Sequence, residues 1–275
     1  MHSRSSGARP GSRREWMRVD RTTVEYWTRF WESANPPRQI SVEGSSLRHT
    51  VDRAYHGALE RYVPADRAAR LIEVGCGNSA WLPFFSRRFG ISVAGLDYSE
   101  FGCARAQAYL EASQVSGEAR CGDFRNPPQD WLEQFDVVFT NGLVEHFDET
   151  SSALAQIARF ARPGGKLLTF VPNMHGLNGW LQRLLGPHTF ATHRALSDHE
   201  LRIAHERAGL SVIECRYLLP MNLLVVNPDR TGTGARLFVQ TARAMTAMVW
   251  SLDRLISLPR ARATAPYVFC CAEKP

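Results

Sequence analysis

From Arg70 to Val171 the chain repeats one pattern: a short apolar run, an amphipathic stretch of helical period, then another apolar run. Leu71–Val74, Ser92–Leu96, Phe135–Thr140 and Lys166–Val171 read as strands, and Ser79–Phe89, Glu100–Ala112 and Glu149–Phe160 as the helices between them. Strands that alternate with helices of about 10–15 residues imply βαβ units and a parallel sheet, which fixes the class as α/β. In such a sheet a ligand binds beyond the carboxyl ends of the strands, at the switch point. After Val171 the alternation lapses. Residues 172–196, rich in Gly, His and aromatics, are too long for a simple connection. A helix over Ser197–Ala208 then opens with a capping box of Ser197 and Glu200, and Ser211–Leu219 and Ala265–Ala272 read as two last strands. Between these, Leu237, Phe238, Ala242, Met245, Val249, Leu252 and Ile256 form a helical stripe. It is expected to cover the substrate side of the domain, with a dimer contact as the alternative.

The 275 residues suffice for one α/β domain with helical additions. The expected organisation is a disordered tail at 1–14, a helical cap at 15–64, and a main domain at 65–275 with substrate-side insertions at about 172–196 and 220–262. In the cap, Tyr26, Trp27, Phe30 and Trp31 share one helix face. They either pack against the main domain or close the active site, with Tyr26 or Trp27 touching cofactor or substrate. The net charge of +6 resides in residues 1–20 and 229–262, so it is peripheral and does not mark a nucleic-acid surface. No apolar run reaches the roughly 18–20 residues of a membrane span, and no apolar segment follows the N-terminal arginines as in a secretory signal. The cytoplasm is the expected compartment. The six cysteines form no C-x-x-C pair and read as reduced and structural.

Glu73-Val74-Gly75-Cys76-Gly77-Asn78-Ser79 follows the first strand and precedes a helix. Gly75 and Gly77 let the backbone turn tightly and approach a ligand. A G-x-G after a strand is compatible with NAD, a flavin or a bare turn. Glu73 discriminates, because a carboxylate repels a pyrophosphate and suits a cationic headgroup. Asp97, after the second strand, is placed to accept both ribose hydroxyls of an adenosine cofactor; a helix N-cap is its bland alternative. Asp123 and Phe124, after a third short strand, offer an acceptor and a ring face to adenine.

These motifs, with Phe-Asp-Val-Val-Phe-Thr-Asn-Gly-Leu-Val-Glu-His-Phe from Phe135 and Arg-Pro-Gly-Gly-Lys-Leu from Arg162, resemble in order and spacing those of class I methyltransferases that use S-adenosylmethionine (SAM). The similarity is to the small-molecule branch typified by ubiquinone and menaquinone methyltransferases and covers about 60–220. It implies a Rossmann-like, seven-stranded, mostly parallel sheet with an antiparallel last strand, plus helical cap elements. It also implies roles: Glu73, Gly75, Cys76, Gly77 and Ser79 beside the methionine moiety, Asp97 and Tyr98 beside the ribose, Asp123 and Phe124 beside the adenine, and Asn141, Gly142 and Leu143 beside the methyl donor. Ser79 departs from the family's third glycine at a position that varies. S-adenosylhomocysteine (SAH) is the implied product.

Methyl transfer from a sulfonium gains much from positioning alone, and a base helps when the acceptor is a hydroxyl or protonated amine. His146 is the best-placed candidate base; His175, His188 and His193, in the insertion, are further substrate-side candidates. No metal is expected, since Glu145 and His146 are adjacent, point different ways, and lack a second cluster. The expected partner is a small apolar or aromatic acceptor of specialised metabolism methylated on O, N or C, with a homodimer possible through the N-terminal helix. The rivals are a nucleic-acid methyltransferase, disfavoured because Asn141-Gly142-Leu143 replaces Asn-Pro-Pro-aromatic, a non-catalytic SAM-binding protein, and an NAD enzyme.

Overall fold

The computed structural model describes residues 20–229 and 232–275; the tail expected at 1–14 and the beginning of the cap lie outside the described residues. Seven strands are present: β1 Arg70–Val74, β2 Ser92–Asp97, β3 Gly117–Cys121, β4 Phe135–Asn141, β5 Ala161–Pro172, β6 Ser211–Leu218 and β7 Tyr267–Glu273. They form one sheet in the order β3-β2-β1-β4-β5-β7-β6. Strands β1 to β5 run parallel, and β7 is antiparallel to both of its neighbours. The fold is therefore the Rossmann-like, mostly parallel sheet that the motifs implied.

The strands alternate between two cores, one on each face. Ile72, Val74, Leu96 and Val138 point into a layer completed by α5 (Thr150–Ile157) and α8 (Asp198–Arg207). Leu71, Val93, Val137 and Phe139 point to the other, built with α2 (Thr50–Leu59), α3 (Trp81–Phe89) and α4 (Glu100–Ala112). Both faces are buried, as a parallel sheet requires. The strand order reverses between β1 and β4, so a crevice opens at their carboxyl ends.

The segment 15–64 is less helical than its pattern suggested. Among the described residues it holds α1 (Val24–Ser33) and α2, joined by irregular chain. Pro36-Pro37 lies in that connection, and proline ends a helix by removing a donor and clashing with the preceding turn. α2 is part of the core: Tyr55 stacks on Phe170 at 4.2 Å between ring centroids.

The insertions form α6 (Gly176–Leu185), α7 (Pro187–Ala191) and α9 (Thr233–Ile256). The seam of α9 is Phe238, Ala242, Thr246, Val249 and Trp250, packed on Met221 and Leu223. Leu237, Met245, Leu252 and Ile256 of the expected stripe are exposed, because Thr246 Oγ and the Trp250 indole rotate the helix to meet backbone groups of Leu223 and Met221. No helix among the described residues is long and apolar enough to cross a membrane.

α8 starts with the capping box: Ser197 Oγ accepts from Glu200 N–H at 3.2 Å, and a Glu200 carboxylate oxygen accepts from Ser197 N–H at 2.8 Å. Ser197→Ala is expected to cost about 1 kcal/mol in urea unfolding, with Ser197→Asp close to wild type. An unchanged midpoint for the alanine variant would show that the cap contributes nothing.

Candidate active site

At the carboxyl ends of β1, β2 and β4 lies a cavity of ≈ 270 Å³. Each strand delivers residues to it in turn: Gly75 after β1, Asp97 and Tyr98 at the end of β2, and Asn141, Gly142 and Leu143 at the end of β4. Gly75 and Gly77 have φ of +80° and +29°, where a side chain is strained. Asp97 sets the loop's shape, its carboxylate accepting from Gly77 N–H at 2.9 Å and from Ser99 N–H at 2.8 Å. Burial pushes the Asp97 carboxyl up to about 6, against the opposing pull of those backbone donors. Glu73 is buried beside it and is likewise pushed well up by burial, with a Ser79 hydrogen bond opposing. Its Oε2 has no hydrogen-bond partner.

α1 closes this end. Trp31 lies so close to the loop that a Cβ on Gly77 would sit 2.4 Å from its ring, and one on Gly102 3.0 Å from it. The helix is held by Thr28 Oγ1 and Ser99 Oγ at 3.0 Å and by Arg105 donating to the carbonyls of Trp31 and Ala34. Trp27, Phe30 and Trp31 line the cavity, whereas Tyr26 turns outward and is partly exposed. Of the two aromatic candidates, Trp27 is therefore at the site and Tyr26 is not. Phe30 and Trp31 were missed as site residues, although they share Trp27's helix face.

The opposite end is polar. The 3-10 turn Val144–His146 after β4 brings Glu145 and His146 to the cavity, and the 172–196 insertion brings Thr189 and His193. His146 Nδ1–H donates to the Thr192 carbonyl at 2.8 Å, and its ring meets Trp27 edge-on at 5.0 Å. Burial lowers the His146 imidazole to about 3, helped by His193, so it is neutral and a weak proton acceptor taken alone. His193 is near it, with ring centroids 4.6 Å apart. His175 instead bridges Glu200 and Arg262, and His188 lies outside the lining, with its backbone N–H donating to Asp229.

Five expected cofactor contacts are not in the cavity lining: Glu73 is buried beside Asp97, Gly77 lies under the Trp31 ring, and Cys76, Ser79 and Asp123 take other positions. The Cys76 thiol packs against Gly95, away from the cavity. Ser79 Oγ accepts from Trp81 N–H at 3.0 Å. Asp123 is bound by the Arg125 guanidinium at 2.6 Å, which also pairs with Asp20 at 2.8 Å, so its carboxylate is engaged before any adenine amine arrives. Phe124 does line the cavity. The Asp123–Arg125 pair is local in sequence, whereas Asp20, the second partner of the same guanidinium, comes from a distant segment that no local signal links to it. Nor does α9 reach the cavity: it packs beyond the 172–196 insertion and contributes no lining residue.

The sheet order, the glycine loop and the acid at the end of β2 define the class I SAM-dependent methyltransferases. A family model described as a methyltransferase domain matches residues 47–215, and the chain belongs to that family. It is 28% identical over 151 residues to the ubiquinone biosynthesis O-methyltransferase of Pseudomonas fluorescens (strain SBW25), covering 52% of this chain and 65% of the relative. It is 33% identical over 98 residues to the enzyme of the same name from Pseudomonas syringae pv. tomato, covering 36% and 42%. The chain thus spans less than two thirds of these relatives' lengths. Among solved structures, geranyl diphosphate C-methyltransferase from Streptomyces coelicolor A3(2), in complex with Mg2+, geranyl diphosphate and SAH, aligns with a TM-score of 0.62 at 13% identity over 92% of this chain and 98% of that one. The [4+2]-cyclase SpnF aligns with a TM-score of 0.63 at 17% identity over 94% and 98%. At these identities the likeness is one of fold, and the site must argue the function.

If SAH binds in this cavity with its ribose on Asp97, the carboxyl sets a pH dependence for that binding. The ionised form is the better acceptor for ribose hydroxyls, so affinity for SAH is expected to be full from about one pH unit above 6 and to be halved near pH 6. Below that it falls, approaching tenfold per pH unit. Asp97→Asn is expected to bind weakly with a flat profile. A wild-type profile that stays flat down to pH 5 would remove Asp97 from the binding site.

Proposed function

We propose that this protein transfers a methyl group from SAM to an oxygen of a small, largely apolar acceptor, and that both bind in the single cavity between α1 and the strand ends. The observation that carries this reading is the division of that cavity. One end has Gly75, the buried Asp97 carboxyl and the Trp31 ring with its unpartnered indole N–H, with Glu73 buried beside Asp97 behind this lining; the other has aromatic walls around a small polar corner.

The residues at the first end fit SAM. Glu73 Oε2, Trp31 Nε1 and Asn78 Oδ1 are buried without partners, a costly arrangement unless a ligand satisfies them. A cationic ammonium matches the Glu73 carboxyl, whose ionisation its burial now opposes. Asp97 would hold the ribose, Phe124 the adenine face, and Gly75 and Gly77 the backbone approach. SAM, when bound, supplies an electrophilic methyl group on a sulfonium.

This chain contributes position and exclusion of water. Trp27, Phe30, Leu143 and Phe147 offer an apolar wall to the acceptor, as expected of a small-molecule site. Asn141 is fixed by Tyr55, whose hydroxyl donates to its Oδ1 at 3.3 Å, so the strand end cannot drift from the acceptor. Glu145, His146 and His193 present the polar groups that an acceptor oxygen would meet. That corner, and the O-methyltransferase relatives, favour oxygen over carbon. The enclosure by side chains from α1 supports a small acceptor over a nucleic acid.

The test supplies SAM carrying a deuterated methyl group with a panel of phenols, catechols and quinols, and follows product mass. The reading predicts that a hydroxylated aromatic gains the intact labelled methyl. It also predicts that Glu73→Gln lowers SAH affinity at least tenfold, about 1.4 kcal/mol, without lowering the melting temperature, since it removes a buried carboxyl. SAH binding with no label transferred to any hydroxyl would favour a non-catalytic or cyclase-like role. No SAH binding would overturn the reading.

A further inference from the structure

We propose that Glu145, His146 and His193 form a binding site for a divalent transition-metal ion of the zinc type, at the acceptor end of the cavity. One ligand atom from each of the three lies within 4.8 Å of those of the other two. The inference rests on the acceptor-site reading above, and it departs from the expectation that no metal is held. The adjacent residues Glu145 and His146 do converge, because they share one 3-10 turn, and the third member arrives from the insertion.

Two segments distant in sequence are stitched together here. The Glu145 carbonyl accepts from Arg194 N–H at 2.7 Å, and the Thr192 carbonyl accepts from His146 Nδ1–H at 2.8 Å. His193 lies between these two ties, and its own Nδ1–H donates to the Thr189 carbonyl at 2.7 Å. Each imidazole therefore carries its proton on Nδ1 and leaves Nε2 as a lone-pair donor. Histidines that ligate metals are oriented in this way, the second ring nitrogen donating to a carbonyl or carboxylate.

The second observation is the carboxylate. Glu145 is 1% exposed, lines the cavity, and its Oε2 has no hydrogen-bond partner. Its Oε1 stands 4.0 Å from His146 Nε2, too far for a hydrogen bond. A carboxyl this buried stays neutral or takes a cation as its partner, and among the described residues no Lys or Arg is paired with this one. Arg21, the positive group near the histidines, is turned to Asp148 at 2.7 Å and to the His193 carbonyl at 2.8 Å.

Two imidazole nitrogens and one carboxylate oxygen suit zinc and its neighbours better than magnesium or calcium, which prefer oxygen alone. Three protein ligands with a fourth position open to a cavity is the arrangement of catalytic rather than structural zinc sites. Metal–ligand bonds of about 2.0–2.2 Å require the donors to draw together by side-chain rotation. The open position faces the space assigned to the acceptor, so the ion's natural fourth ligand is an acceptor oxygen.

Co2+ reports on such a site through its visible absorption. The full-length protein, stripped with a chelator, is titrated with Co2+ and then with Zn2+, and SAH affinity is measured on the same samples. The proposal predicts one Co2+ per chain with visible bands that Zn2+ abolishes. Glu145→Gln and His193→Asn should each weaken Co2+ binding more than about tenfold while keeping SAH affinity within about twofold. A variant that loses SAH binding has lost its fold, and the other then decides. Wild-type protein that binds SAH but no Co2+, or variants that bind Co2+ as wild type does, would overturn the metal site and leave the cofactor reading standing. Wild-type protein that binds Co2+ but not SAH would overturn the cofactor reading instead.

Discussion

The Asp97 carboxylate holds the site together by accepting from the backbone of two different loops. Its bond from Gly77 N–H ties the turn after β1 to the end of β2, and its bond from Ser99 N–H starts α4. Both loops then reach the surface on which Trp31 rests, between Gly77 and Gly102. The Asp97 carboxylate acts with the Leu96 carbonyl, which accepts from Gly75 and Cys76 N–H at 2.7 and 3.2 Å, to fix the glycine turn that forms part of the floor under α1. A group this buried is expensive to ionise, and its two backbone donors offset part of that cost.

The same logic orders the far end of the cavity. Hydrogen bonds between backbone and imidazole bind the turn after β4 to the 192–194 segment, and Asp20 pairs with Phe147 in a short bridge beside them. The polar corner is thus held by chain from three regions. Apolar packing under the sheet supplies a rigid base, while the site is a set of polar contacts among loops placed by it.

Much of this was readable in the sequence, and what was not has a physical reason. The strand–helix alternation of 70–171 and the capping box at Ser197 are local signals, and each became the element expected. Asp97 and the glycine loop were legible because their spacing is set by one βαβ unit. The second partner of Arg125, Asp20, was not, since it depends on how the N-terminal segment returns. Trp31 shares its helix face with Trp27, but only the structure shows that it rests on Gly77. The convergence of His193 on Glu145 and His146 joins residues 48 and 47 positions apart through an insertion of no regular pattern, which no local rule predicts. The face of α9 was misjudged for a related reason: Thr246 and Trp250 turn inward to satisfy backbone groups, overriding the apolar stripe.

The central claim is that the strand-end cavity under α1 receives the cofactor along Gly75, Gly77 and Asp97, leaving the Glu145–His146–His193 corner to the acceptor. A crystal structure of the SAH complex tests it most directly. The account predicts the ribose on Asp97, the amino-acid end beside Glu73 with the Trp31 ring displaced from Gly77, and the sulfur facing the corner lined by Trp27 and His146. SAH bound elsewhere, or bound with Trp31 still against Gly77 and its ribose away from Asp97, would contradict it.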